Sequence, residues 1–153
     1  VVIINRSNLV GKPLYHLLLQ NNATVTTCHS KTKDLKKICL DSDIIITGVG
    51  NREIFKLTPD MIKEGAIVID VATTRYEGKL SGDADYPEII EKASFASPVP
   101  GGVGPMTVAM LLKNTVTAAA LTKGIDIKSW KSCFTKASSR EKRFHIIWFN
   151  GDS

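Results

Sequence analysis

The sequence predicts a doubly wound α/β domain, a mostly parallel sheet with helices on its faces, and three observations carry that expectation. Short apolar runs rich in β-branched residues, at positions 1–4, 23–28, 43–47 and 66–71, alternate with stretches of helical periodicity. The runs at 43–47 and 66–71 are apolar on both faces, which suits strands buried in a parallel sheet. The chain has 153 residues, 43% hydrophobic and 23% charged, the proportions of one ordinary globular domain.

Val1-Val2-Ile3-Ile4 reads as the first strand, Asn5-Arg6-Ser7-Asn8 as a tight loop, and the stretch from Gly11 onward, with Leu14, Leu17 and Leu18, as a helix. Asn21-Asn22 is a turn pair, after which residues 23–28 form the second strand. Residues 32–40 then give a short amphipathic helix with Leu35 and Ile38 inward. The third strand, 43–47, is stopped by Gly48-Val49-Gly50. A short helix started by Thr58-Pro59-Asp60 and ended by Gly65 leads into the fourth strand, 66–71. A loop is expected over 72–81, a helix over 86–93, a short strand over 94–97 and a long Ala-, Met- and Leu-rich helix over 106–121. The composition shifts at about residue 122, so the expected organisation is a single domain over 1–122 and a divergent basic tail over 123–153.

The net charge of +5 sits mostly in that tail, where Lys123, Lys128, Lys131, Lys136, Arg140, Lys142 and Arg143 face only Asp126, Glu141 and Asp152. The body is close to neutral, so nucleic-acid binding would rest on the tail alone, with Trp130, Phe134, Phe144, Trp148 and Phe149 as stacking residues. A variant terminus is the favoured reading, and nucleic acid is not an expected partner. Cys28, Cys39 and Cys133 are odd in number and far apart, with no Cys-x-x-Cys and no nearby His at ligand spacing, which predicts neither a disulfide framework nor a zinc site. No metal ligands are assigned, and His16 and His145 are isolated. No apolar run approaches the roughly 18 residues of a membrane span, and the apolar start lacks the basic flank of a signal peptide.

In a sheet of this kind ligands bind beyond the carboxyl ends of the strands. The loop from Asn5 to Gly11 has the place and length of a dinucleotide loop without its glycine triplet, so a plain strand-to-helix turn stays open beside a phosphate site. Cys28-His29-Ser30-Lys31-Thr32-Lys33, after the second strand, lacks the acid that binds an NAD ribose. A hydroxyl and two lysines there, with Arg6 reaching across, suit the 2′-phosphate of NADP. A solvated helix start capped by Ser30 or Thr32 is compatible with the same residues. The segment from Pro98 to Thr107 is stiffened by proline and stripped of side chains by glycine, as a ligand loop or a rigid crossover would be.

Four segments, Arg6 to Pro13, Ala23 to Thr32, Gly65 to Val71 and Pro98 to Met110, closely resemble in order and spacing the C-terminal cofactor domain of the methylenetetrahydrofolate dehydrogenase/cyclohydrolase family. The resemblance covers about residues 1–122, and Pro100-Gly101-Gly102-Val103-Gly104-Pro105-Met106-Thr107 is its most specific part. It implies a Rossmann-like fold. It also implies a cytosolic or organellar one-carbon enzyme that oxidises 5,10-methylenetetrahydrofolate with NADP and hydrolyses the methenyl product to 10-formyltetrahydrofolate. Carried over by position, the cofactor loop falls on Asn5, Arg6 and Ser7, the 2′-phosphate serine on Ser30, and the segment against the cofactor on Ala72, Thr73 and Thr74. The folate-side loop falls on Pro100, Gly101, Gly102, Val103 and Gly104.

The departures carry expectations of their own. Asn5 stands in place of the family's loop glycine, its side chain in space the pyrophosphate would use, which predicts weaker cofactor binding. Ala72-Thr73-Thr74 replaces Gly-Ile-Asn, and Arg52 stands where the family usually has proline. The family's proton-transfer lysine and its tyrosine lie in an N-terminal domain within Tyr-x-x-x-Lys, a pair that these 153 residues lack. No catalytic residue is therefore assigned here; folate would be engaged through that missing domain, a homodimer like the family's is allowed, and the isolated chain is expected to bind nucleotide at best. The competing reading is a non-catalytic remnant that serves as an interaction module.

Overall fold

In the computed structural model, which describes residues 1–125, the elements run in order β1 (Val2–Ile4), α1 (Gly11–Gln20), β2 (Thr26–Cys28), α2 (Leu35–Leu40), β3 (Ile44–Thr47), a 3₁₀ turn (Pro59–Met61), β4 (Ile67–Asp70), β5 (Thr74–Tyr76), β6 (Lys79–Ser81), α3 (Tyr86–Ile89), β7 (Phe95–Ala96) and α4 (Val103–Thr122). Five strands form one parallel sheet in the order β2-β1-β3-β4-β7, and β5 and β6 form a separate antiparallel hairpin. The doubly wound, Rossmann-like fold expected from the alternating runs is the one observed. The chain divides into two compact units, Val1–Val108 and Ala109–Ser153, with all five sheet strands in the first. Most of the basic tail expected over 123–153 lies outside the described residues, including its five stacking aromatics, Cys133 and His145.

The strands form where β-branched residues are buried on both sides. Val2, Ile3, Ile45 and Val68 are fully buried, and Ile4 and Ile46 nearly so. The main core lies where Val2, Ile4, Cys28, Ile45 and Val68 of the sheet meet Cys39, Leu57, Ile62 and Ile89, with Leu35 and Ile38 of α2 packed against them as their spacing predicts. Cys28 and Cys39 are both free thiols inside this core. Burial pushes the Cys28 thiol up and drives that of Cys39 to about 12, the neighbouring Cys28 adding to the second effect.

Helix α1 begins with Pro13 in its first turn, where the missing N–H costs nothing, and ends where Asn22 takes a left-handed φ of +61°. The amides of Asn22 and Ala23 return to the carbonyls of Leu19 and Leu18, and the Asn21 side chain donates to Leu17 O at 2.8 Å, so backbone and side chain together close the last turn. Gly124, at φ +65°, closes α4 with Ile125 N–H donating to Ala120 O.

Four local expectations are corrected. Within the loop expected over 72–81, residues 74–81 form a hairpin, because Glu77 and Gly78 both adopt positive φ, +50° and +78°, in a two-residue turn that matches strand twist. The helix expected over 58–65 is a single 3₁₀ turn, Pro59–Met61, since the chain becomes extended again at Ile62. The helix expected over 86–93 spans only Tyr86–Ile89. Neither Ser30 nor Thr32 caps α2: the cap position is Asp34, at a left-handed φ of +53°, and Thr32 Oγ1 instead accepts from the His29 N–H at 2.9 Å.

Ile45 sits on β3 between β1 and β4, so its loss leaves a hole that the sheet cannot close. Ile45→Ala is expected to lower unfolding free energy by about 2–5 kcal/mol, read as a shift in urea midpoint with unchanged slope.

Candidate functional site

Because all five strands are parallel, their carboxyl ends share one edge, across which four spacings cover about 19 Å. In sheet order the segments beyond those ends carry Ser30 after β2; Asn5, Arg6 and Ser7 after β1; Gly48-Val49-Gly50 after β3; Thr73 after β4; and Pro100 to Gly104 after β7. The sequence-predicted residues are thus brought to a single edge. The connection order reverses between β1, which continues to β2, and β3, which continues to β4 and β7, and such a reversal opens a crevice.

Asn5 spans this crevice. Its Oδ1 accepts from the Ser7 N–H at 2.7 Å and the Gly11 N–H at 3.1 Å, while its Nδ2 donates to Gly48 O on the β3 side. Ser7 O accepts from the Lys12 N–H at 3.0 Å, and Ser7 Oγ accepts from the Val10 N–H at 3.1 Å. With Pro13 next, the start of α1 therefore keeps no amide for a phosphate: the loop consumes the donors that a helix N-terminus usually offers. The space is tight, since a Cβ on Gly11 would fall 2.2 Å from Asn5 O. Arg6, Ser7, Asn8 and Leu9 of this loop are exposed, and among them the Arg6 guanidinium and the Ser7 hydroxyl, which still has its proton to donate, could serve an anion. Ser30 is likewise exposed, and residues 29–33 contain no carboxylate.

The far side of the edge is built around two buried carboxylates. Asp83, fully buried, accepts from Thr47 Oγ1 at 2.7 Å, the Val49 N–H at 2.6 Å and the Gly50 N–H at 3.0 Å. Asp70, at the end of β4, accepts from the Ala72 N–H at 3.0 Å and the Ala84 N–H at 2.7 Å, and its own amide donates to Ser97 Oγ at 2.8 Å. Burial drives the Asp70 carboxyl up to about 6; the Ala84 amide opposes that rise and the charge of Asp83 adds to it. Arg52 donates to the carbonyls of Gly82 and Ala84 at 2.9 and 3.1 Å and pairs with Asp85 at 3.0 Å. A cavity of about 250 Å³ lies here, lined among others by Arg52, Asp70, Asp85, Tyr86 and Ser97.

The proline-glycine loop has its own demands. Gly101 adopts φ +104°, and a Cβ on Gly102 would lie 2.4 Å from Pro98 O, so both glycines are required by the backbone itself. Around Gly104 no atom lies within 4 Å of a Cβ position, so the chain's own packing does not explain that glycine. Thr73 is exposed between β4 and the hairpin, whereas Ala72 is buried and tied to Asp70. Asp83 and Asp85 were not singled out from the sequence. An acid in a loop gains meaning only from amides more than thirty residues away, and no local pattern marks it.

Residues 1–123 match the family model described as the NAD(P)-binding domain of tetrahydrofolate dehydrogenase/cyclohydrolase. The chain belongs to this family. The Bifunctional protein FolD of Nitrosopumilus maritimus is 73% identical over 125 residues, covering 82% of this chain and 44% of that protein. A crystal structure of the bifunctional 5,10-methylenetetrahydrofolate dehydrogenase/cyclohydrolase from Thermoplasma acidophilum superposes with a TM-score of 0.74 at 41% identity, over 80% of this chain and 44% of that one. The Trypanosoma brucei dehydrogenase-cyclohydrolase, solved with NADP cofactor and inhibitor, gives 0.68 at 41% identity over 76% of this chain and 41% of its own. This chain thus spans less than half the length of the family members it matches. Among the described residues no helix is long and apolar enough to cross a membrane.

Two outcomes follow from this geometry. Asn5→Ala removes an acceptor from two amides and a donor from Gly48 O, and should lower stability by about 1–2 kcal/mol in urea denaturation. Asp70, whose folded value of about 6 lies above the usual 3.8, takes up its proton before the unfolded chain does as pH falls. Its contribution to stability is therefore fully present below about 3.8 and lost as pH rises through about 6. Denaturation curves across that range should show the wild type gaining on Asp70→Asn as pH falls, a trend absent if the carboxyl titrates normally.

Proposed function

We propose that this chain is the NADP-binding half of an enzyme that oxidises 5,10-methylenetetrahydrofolate and hydrolyses the methenyl product, with a folate as small-molecule substrate. The observation that carries this reading is the crevice between β1 and β3 with Arg6, Ser7 and Ser30 on adjoining strand ends and no carboxylate in residues 29–33. An NAD ribose would call for an acid there, whereas a 2′-phosphate calls for cations and hydroxyls. NADP fits these residues: Arg6 and Ser30 would hold its 2′-phosphate, Asn5 and Ser7 would flank the diphosphate, and Thr73 would lie beside the other half. Acceptance of a hydride is the chemistry that NADP supplies when bound.

Pro100, Gly101, Gly102, Val103 and Gly104 are assigned to the folate side, where Gly104 leaves an open backbone surface. Hydride transfer requires two reactants held at near-attack distance, and no residue of this chain is assigned to proton transfer. A second reading, a folded module that has lost its cofactor, is favoured by one observation: Asn5 already occupies the amides of Ser7 and Gly11.

Calorimetric titration with NADP and NAD separates the two. The proposal expects NADP to bind at least about tenfold more tightly, a difference of about 1.4 kcal/mol. Ser30→Ala and Arg6→Gln should each erode that preference while leaving NAD unchanged. Equal affinities would remove the 2′-phosphate assignment, and no heat with either nucleotide in a folded chain would establish the module reading.

A further inference from the structure

The turn Gly48-Val49-Gly50 beyond β3 forms the wall of the crevice facing the Asn5 loop, and it is joined to that loop by the Asn5 Nδ2 bond to Gly48 O. Nothing within the turn fixes its shape. Gly50 sits at φ +70°, and the amides of Val49 and Gly50 both donate to the Asp83 carboxylate, which also takes the Thr47 hydroxyl. Asp83 is itself held from the other side, because the Arg52 guanidinium clasps the carbonyls of Gly82 and Ala84, the residues on either side of it, and is anchored on Asp85.

We propose that Asp83, seated by Arg52, is the positioning residue for the half of the dinucleotide that lies beyond β3. The inference rests on the cofactor reading above and adds to it a division of labour across the crevice. With the 2′-phosphate held at the ends of β2 and β1, a dinucleotide crossing the reversal point places its nicotinamide half over β3 and β4. The wall on that side is the turn that Asp83 shapes. A carboxylate that is 0% exposed is costly to bury unless its hydrogen bonds are well made. Here all three go to one turn and one strand end at the crevice, and among the described residues no cation pairs with it. The Arg52 clasp thus sets the turn from outside it, through the segment that carries Asp83.

The test compares two ligands on the full chain: NADP, which crosses the crevice, and adenosine 2′,5′-bisphosphate, which reaches only the β2 and β1 side. Asp83→Asn turns one acceptor into a donor facing an N–H, and should weaken NADP about tenfold or more while leaving the bisphosphate within about twofold. Arg52→Met, at a partly exposed side chain that does not enter the core, should weaken NADP about threefold with the same selectivity, and it carries the test should Asp83→Asn not fold. Equal weakening of both ligands would reduce Asp83 to a fold-maintaining role and overturn the proposal, as would unchanged binding of both. A wild-type chain that binds the bisphosphate but not NADP refutes the proposed division. One that binds neither refutes the cofactor reading itself.

Discussion

Two buried carboxylates hold the carboxyl edge of this sheet together through backbone amides instead of cations. Asp83 gathers the end of β3 and the turn beyond it, and Asp70 gathers Ala72, two residues after β4, and Ala84, the residue after Asp83. Both sit within reach of each other's charge, which is part of why the Asp70 carboxyl is raised. Amides are weak compensators singly, so the arrangement depends on several of them converging. Gly82 is required between the two acids, since a Cβ there would fall 2.1 Å from Asp70 Oδ2. Take this knot away and the segments beyond β3 and β4 lose their relative placement, though the strands themselves would still pair.

On the other side of the reversal point the same problem, exposed backbone polar groups beyond a strand end, is solved by one neutral side chain. The sequence led us to expect Asn5 to stand in the path of the pyrophosphate. The structure shows its carboxamide turned to the loop's own amides and to Gly48. At this edge the start of α1 has no amide left to offer, while the Arg6 and Ser7 side chains are exposed.

The architecture was legible because β-branched runs such as Ile44 to Thr47 have no alternative to a doubly buried strand. The family, too, was legible from the proline-glycine segment. Element ends were less so. The Glu77-Gly78 turn lacks the Asn or Asp that usually announces a two-residue hairpin, and Pro59 with Asp60 suggests a helix start that Ile62 then abandons. At the candidate site, Arg6, Ser7 and Ser30 could be placed beyond strand ends from local pattern, because each follows a strand. Asp83 and the clasp of Arg52 could not, because their meaning comes from partners 30 or more residues away.

The pair of core thiols has a consequence for handling and for kinetics. Cys28 and Cys39 are sealed at the sheet and held protonated by burial, so neither offers the thiolate that oxidants and alkylating reagents attack. Their modification must wait for the sheet to open, and the rate at which these two sulfurs react becomes a clock for that opening, independent of any spectroscopic probe.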